Sequence, residues 1–433
     1  MSLVSAIENT FKRFPLTEKD IKYYQHQVFS TSQQDVSTLP SYNIEARFAG
    51  SEQFVNLSDS YLLVNYTYLT SAGGAIAGNA VTGLTHGAWS LLSNLAIEVN
   101  GMKLDGNINP GMSANILYKT SKSYDWIVDN NRSLSYGPAG FSNGIAAVGT
   151  LATDATDTNW LKCSTDGSTY PQWVALPLSH VLGSANVPKL LPAVNLVLRA
   201  DKNIQYNEIL MRNNTVADVD YMTKINQIKW YIPVAKVKER LANMVDMEAI
   251  KSQPVPIDFQ QIQYHKLTGT GTQLQMNLFT GVKRPRFILL APQLTSVSAS
   301  QNGTNAGIFT CAGVTEVYVT INGQNYPARP YQGVNEGFLR EVRAIKELFG
   351  KHKSGDSSSI ISPGNFRIYN SIFVFDVSHL DELFEENTSS DVIVQINYTS
   401  TEASAQTFHV VCISDKHVKL EYVGGSLQLA SSI

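Results

Sequence analysis

The stretch LAIEVNGMKL, residues 95–104, and the stretch VYVTINGQNY, residues 317–326, spell nearly the same hairpin twice in one chain, 222 residues apart. Each alternates large apolar residues with small or polar ones and then places Asn-Gly at the reversal: Asn100-Gly101 in the first, Asn322-Gly323 in the second. A two-residue type I′ turn needs positive φ at both central positions, which Asn tolerates and Gly adopts freely. The strands Leu95–Val99 and Val317–Ile321 are therefore each expected to pair with the residues just beyond their Asn-Gly turn. The turns are local, but their recurrence concerns the whole chain.

Working outward from the first hairpin, strand-like runs precede it at 42–48 and 61–69, and a helix-like segment comes after it, with Asn109-Pro110 as cap and first helical residue and Met112, Ile116 and Leu117 on one side. A Gly-, Ser-, Asn- and Thr-rich stretch occupies about 130–170, and strands resume at 173–181, 194–201, 204–212 and 227–237. The second half repeats the order. Strands are expected at 256–266, 272–279 and 286–292, then the second hairpin, then a helix over 334–350 with Phe338, Val342, Ile345 and Phe349 on one face and Gly350 as its stop. Strands at 367–379, 391–399, 407–414 and 417–423 close the half.

Counting supports the correspondence. The Ser-His pairs at 179–180 and 378–379 lie 199 residues apart, as do the strands beginning at Val194 and Ile393, whereas the hairpins lie 222 apart. The first half thus carries 23 extra residues between its hairpin and its Ser-His pair, and the polar stretch 130–170 falls inside that interval. Two halves with one element order indicate a duplicated β domain. About eight short strands per half, with one helix after the hairpin, fit an eight-stranded antiparallel jelly roll, and the lack of helices between strands excludes a parallel α/β fold. The fold class expected is all-β: two tandem jelly rolls, one short helix per half, and an N-terminal helical arm. In that arm Val4, Ile7 and Phe11 have helical spacing, Pro15 interrupts, and Thr17 with Asp20 can cap a second short helix. The expected organisation is an arm over 1–36, a first jelly roll over 37–237, a linker with helical texture over 238–253, and a second jelly roll with the C-terminal tail over 254–433.

Composition narrows the function. The formal net charge is −3, charged residues are 16%, and no long Lys/Arg block occurs, so a grip on a phosphate backbone has little to stand on and no direct nucleic-acid binding is expected. Cys163, Cys311 and Cys412 lack the paired spacing of a zinc site and are odd in number, against a disulfide framework. No apolar run is long enough to span a bilayer and no signal-peptide core opens the chain, so the Asn-X-Thr sequons at Asn65, Asn302 and Asn397 are not expected to be glycosylated.

The chemistry-bearing candidates are weak. Asp376, Ser378 and His379 have the residue types of a triad, but neighbours in a strand point to opposite faces, and the repeated Ser179-His180 favours a strand-end role. The segment 350–359 lacks the Gly-Lys-Ser/Thr of a phosphate loop, and 268–273 reads as a turn. The eight histidines show no HxH or HExxH pair. No catalytic residue, cofactor or metal ligand is assigned, and the chain is not expected to be an enzyme. The positions singled out are the structural turns Asn100, Gly101, Asn322 and Gly323.

Several stretches together resemble a family. SEQFVNLSDSYLLVNYTY (51–68), WSLLSNLAIEVNGMKLDG (89–106), KLLPAVNLVLRAD (189–201), RPRFILLAPQ (284–293) and VYVTINGQNYPARPYQ (317–332) are similar to recurring strands of the double jelly-roll major capsid proteins of double-stranded DNA viruses and related elements. That lineage includes adenovirus hexon, tectiviruses, virophages and Polinton-type elements. The resemblance covers most of 40–423 through order and texture more than through an invariant motif. It implies a virion component assembled inside the host cell, a homotrimeric capsomer of pseudo-hexagonal outline tiling an icosahedral shell, and contacts with neighbouring capsomers, penton and minor capsid proteins or an inner membrane through the arm. It also implies that the loop 130–170 faces outward. Two other classes stand beside it: a two-domain β-sandwich binding module, such as a lectin or receptor-binding virion protein, for which Trp160 and Tyr170 are the aromatic pair in the long loop, and a glycan-cleaving sandwich enzyme, which would need two converging carboxylates.

Overall fold

The computed structural model describes residues 21–31, 37–48, 53–74, 82–134, 172–212, 221–237, 255–279, 285–295, 307–332, 340–343, 361–378 and 393–432, apart from a few positions within these spans. In the first half, strands run over Ile21–Ser30 (β1), Ser41–Arg47 (β2), Gln53–Asn56 (β3), Tyr61–Thr70 (β4), Thr82–Leu84 (β5), Leu92–Val99 (β6), Met102–Ile108 (β7), Gln172–Pro177 (β8), Leu190–Pro192 (β9), Asn195–Lys202 (β10), Leu210–Arg212 (β11) and Tyr221–Val237 (β12). The second half holds Val255–Gly269 (β13), Gln273–Phe279 (β14), Pro285–Leu294 (β15), Val314–Ile321 (β16), Gln324–Gln332 (β17), Phe373–Asp376 (β18), Ile393–Ser400 (β19), Gln406–Val423 (β20) and Ser426–Ser432 (β21).

The pairing shows the duplication directly. In the first half β12 lies between β1 and β4, β8 pairs with the far side of β4, and the facing sheet runs β2-β10-β6-β7. In the second half β20 lies between β13 and β15, β18 pairs with β15, and the facing sheet runs β14-β19-β16-β17. All these ladders are antiparallel, and strand for strand the order is one order used twice. Each half is thus a four-on-four jelly roll, trimmed with β3, β9 and the small β5–β11 pair in the first and with β21 in the second.

Local chemistry explains the elements. In β2 the side chains of Tyr42, Ile44 and Ala46 are buried while Ser41, Asn43, Glu45 and Arg47 are exposed, the period-two signature of a sheet with one face on a core. At the first hairpin Asn100 has φ 49° and Gly101 φ 82°, both left-handed as a type I′ turn demands. Gly323 has φ 79°, while Asn322 lies outside the described residues. The helix α1, Pro110–Ser121, starts where expected: the Asn109 side chain accepts a hydrogen bond from the Met112 amide at 3.2 Å, and Pro110 takes the position that needs no amide donor.

Four expectations change. The helix read from Thr17 does not run through Ile21–Gln25: these residues open β1, which pairs along β12 from Val237 to Lys229, so part of the stretch read as an arm belongs to the first sheet. Its Tyr, Val and Phe residues suit a strand, and long-range pairing outweighs the local capping pattern. The strand read over 204–212 is a helical turn at Tyr206–Ile209 followed by short β11, because the Asn203 side chain accepts the Gln205 amide at 2.9 Å and starts a turn. Of the strand read over 367–379, Phe373–Asp376 is a strand while Ser371, Ile372, Val377 and Ser378 are not, and 367–369 and His379 lie outside the described residues. The two strands read at 407–414 and 417–423 are the single 18-residue β20. The helix expected over 334–350 lies outside the described residues except for Arg340 and Arg343, which are helical; residues 1–20, 135–171 and 238–254 also lie outside.

Candidate functional site

The feature that organises the molecule is the seam between the jelly rolls, and β13 and β20 build it. The C-terminal part of β13 places Ile262 and Tyr264 in the second core, whereas its first residues, Ile257 and Phe259, belong to the first core. Likewise Phe408, Val410 and Cys412 of β20 face the second core, and Val418 and Leu420 the first. The polar Ser414-Asp415-Lys416 segment, at the break between the strands read at 407–414 and 417–423, marks the changeover: Arg286 donates to the Asp415 carboxylate at 2.5 Å, and the Lys416 ammonium reaches across to the Leu104 carbonyl at 3.0 Å. In return, α1 sends Met112 and Ile116 into the second core. Six apolar side chains buried across the boundary, at about 1.5–3 kcal/mol each, contribute on the order of 10 kcal/mol to holding the halves together.

The backbones approach closely. A short 3-10 turn, Gly183–Asn186, sits against β13, and a Cβ on Gly183 would lie 1.8 Å from the Gln260 carbonyl oxygen, so only glycine fits. Beside it the fully buried Asp105 carboxylate accepts the Ser184 amide at 2.9 Å and the Gly106 amide at 2.8 Å. Burial pushes this carboxyl above the usual range, while the two amides and Lys416 pull it back. On the rim, Lys266 pairs with Glu208 at 2.6 Å and Lys189 donates to the Pro256 carbonyl.

A second polar group lies beneath α1. Lys119 is completely buried; its ammonium donates to the Gly307 carbonyl at 2.6 Å and stands 5.0 Å over the Phe309 ring. Loss of water pushes its pKa down to about 7. Asn115 also donates to Gly307 and approaches the buried His86, whose pKa burial drives down to about 3. Across the seam, His409 lies between the Tyr264 hydroxyl at 2.7 Å and the Gln293 carbonyl oxygen at 3.0 Å, and burial again disfavours its charged form. Lys119, His86 and His409 are all buried in this layer. It fixes how one jelly roll stands on the other.

The residues singled out in the sequence fall into place around this frame. Asn100, Gly101 and Gly323 sit at hairpin tips, apart from the seam. Ser378 comes after β18 and spends its amide and hydroxyl on the Asp376 carboxylate, at 2.9 and 2.5 Å, closing a strand-end turn; His379 lies outside the described residues. The repeat counterpart of His379, His180, closes the 3-10 turn Leu178–His180 after β8, within hydrogen-bond reach of the Tyr118 hydroxyl at 2.7 Å, which also accepts from the Trp89 indole at 3.2 Å. Cys311 and Cys412 are buried free thiols, with that of Cys412 pushed up to about 12. Among the described residues no cluster of His, Cys, Asp and Glu could hold a metal, and no helix is long and apolar enough to cross a membrane. Residues 350–359, Cys163, Trp160 and Tyr170 lie outside the described residues. The sequence reading missed the seam residues. Their one local signal was apolar residues on both sides of a polar triplet within one strand.

No family model matches the chain. A protein of Caenorhabditis elegans described only as uncharacterised is 22% identical over 371 residues, covering 80% of this chain and 83% of that one. Among solved structures, a chain of the Sputnik virophage cryo-EM structure superposes with a TM-score of 0.54 at 11% identity, covering 96% of this chain and 90% of that one. The Faustovirus major capsid protein gives 0.53 at 11% identity over 93% and 92% of the two chains. The mavirus major capsid protein gives 0.52 at 12% identity over 97% and 93%. The chain has the double jelly-roll fold of these viral major capsid proteins.

Proposed function

We propose that the protein is a major capsid protein, a structural subunit and not a catalyst, which trimerises into pseudo-hexagonal capsomers that tile an icosahedral shell. The observation that carries this is the locked pair of jelly rolls, matched over nine-tenths or more of both chains by the Faustovirus and mavirus proteins. Duplication has a geometric use here, since three copies of a twin domain present six similar edges. On this reading the protein is a virion component assembled inside the host cell. Its partners are neighbouring capsomers, penton and minor capsid proteins, residues N-terminal to β1 reach inner neighbours or a membrane, and residues 130–170 face outward. The polar groups of α1 support a structural role, because Lys119 and Asn115 both spend their donors on the Gly307 carbonyl of the other half. Light scattering with negative-stain imaging of the purified full chain tests the proposal: a mass of three chains and a six-sided outline are expected, and a single-chain mass at every concentration and salt would overturn it.

A further inference from the structure

At one end of the first jelly roll lies a cleft of about 460 Å³, within the size range of small-molecule sites. It opens beside the helical turn Tyr206–Ile209, at the end where β4 and β10 finish and β8 and β12 begin. Ile204, Tyr206 and Met222 line it with apolar surface, and Ser71, Gln205 and Asn207 line it with hydroxyl and amide groups. Ile204 is 68% exposed, so its side chain is not spent on the core. The turn is held from both sides, which spares a ligand the cost of ordering it. The Asn203 side chain accepts the Gln205 amide at 2.9 Å, and Thr85 donates its amide to the Ile209 carbonyl at 2.9 Å and its hydroxyl to the Glu208 carbonyl at 3.0 Å.

Two lysines give the cleft its sign. Lys202 stands two residues before Ile204, and Lys224 stands two residues after Met222 on the same face of β12. Both are part-buried, and among the described residues neither ammonium has a hydrogen bond or an ion pair. Burial and the nearby Lys224 charge push the Lys202 pKa below the usual lysine range, a cost that an arriving anion would relieve. The carboxylates flanking the turn are engaged elsewhere: Asp201 accepts from Asn94 at 3.0 Å, and Glu208 pairs with Lys266 at 2.6 Å. The buried Tyr42 hydroxyl, which neighbours Tyr206, also has no hydrogen-bond partner among the described residues. We infer that this cleft binds a sugar acid, its ring against Ile204 and Tyr206, its hydroxyls on Ser71, Gln205 and Asn207, and its carboxylate between Lys202 and Lys224. A carboxylate takes charge-assisted bonds from two ammonium groups, and a sugar offers C–H faces to apolar side chains and hydroxyls to amides. The site belongs to a single chain. Only its placement on the outside of a shell rests on the capsomer reading, in which residues 130–170, leading into β8, face outward.

The test titrates the full chain with the methyl glycosides of glucuronic acid and of galactose, read by saturation-transfer NMR, with inorganic sulfate as a competitor. The glucuronide should bind about tenfold more tightly than the neutral galactoside, and Lys202→Gln and Lys224→Gln should each remove about that factor while leaving the galactoside unchanged. Ile204→Ser should weaken both sugars, and Lys419→Gln, at an exposed lysine of β20, should weaken neither. If a glutamine variant misfolds, the wild type answers instead: raising the salt should lower the glucuronide affinity and leave the galactoside affinity in place. Equal binding of the two sugars, binding of neither, or lysine variants that hold the glucuronide as the wild type does would each overturn the assignment. Displacement by sulfate with no effect of Ile204→Ser would also overturn it, leaving an adventitious anion site only. Every one of these outcomes is read within one chain, whereas the capsomer reading is decided by mass, so the two fail separately.

Discussion

Gly183→Ala tests the seam at its tightest point. The added Cβ would meet the Gln260 carbonyl oxygen at 1.8 Å, its carbonyl carbon at 2.6 Å and the Phe259 ring at 3.1 Å, where an ordinary contact begins at 3.4 Å. Two of these neighbours are backbone, so no rotamer change relieves the clash, and the 3-10 turn and β13 must separate by roughly 1.5 Å. Overpacking of this kind costs about 1–3 kcal/mol. The movement also pulls the Ser184 amide away from Asp105, leaving a buried carboxylate short of a donor at a further cost of about 1–3 kcal/mol. The expected loss is about 2–6 kcal/mol in denaturant unfolding followed by tryptophan fluorescence, at fixed protein concentration so that any assembly is held constant. Gly74→Ala is the control: its Cβ would sit 3.3 Å from the Thr70 hydroxyl in an exposed turn, and a change within about 0.5 kcal/mol is expected. Equal stability of the two variants would refute the argument that the halves meet backbone to backbone.

Two further outcomes concern the hairpin tip and the buried lysine. Gly101→Ala places a side chain at φ 82° in the hairpin tip and should cost about 1–2 kcal/mol in thermal unfolding with the fold retained; an unchanged melting temperature would contradict the left-handed turn. Lys119 titrates near 7 when folded and near 10.5 when unfolded, so between these values the unfolded chain holds more protons and stability must rise with pH. Relative to Lys119→Met, the wild type should gain about 1.4 kcal/mol per pH unit between pH 7 and 9, and parallel stability–pH profiles for the two proteins would show that the ammonium is not buried.

The fold was legible where the signal was local or repeated. Asn100-Gly101, the alternation in β2 and the Asn109-Pro110 helix start are each decided by a few neighbouring residues, and the structure places them as read. The repeat did what no single segment could, because a matched order of elements constrains topology without any contact being known. The hidden features depend on partners distant in the chain. β1 looked like a capped helix because its reason to be extended lies about 200 residues away in β12. β20 reads as two strands, 407–414 and 417–423, because polar residues at the break make sense in one strand only once two cores are seen to share it. Nothing in the sequence around Lys119 announces that the Gly307 carbonyl waits above it.

The strands shared by two cores also bear on what the chain could do after duplication. Two copies joined by a flexible tether could drift independently, each answering only to its own interior. Here a change at Val418 or Ile257 is felt in the jelly roll to which that residue does not belong by sequence, and a change at Met112 is felt in the other. The halves are therefore bound to one another as hereditary units: each can alter its seam face only in step with its twin, and neither is expected to persist as a soluble protein when expressed alone.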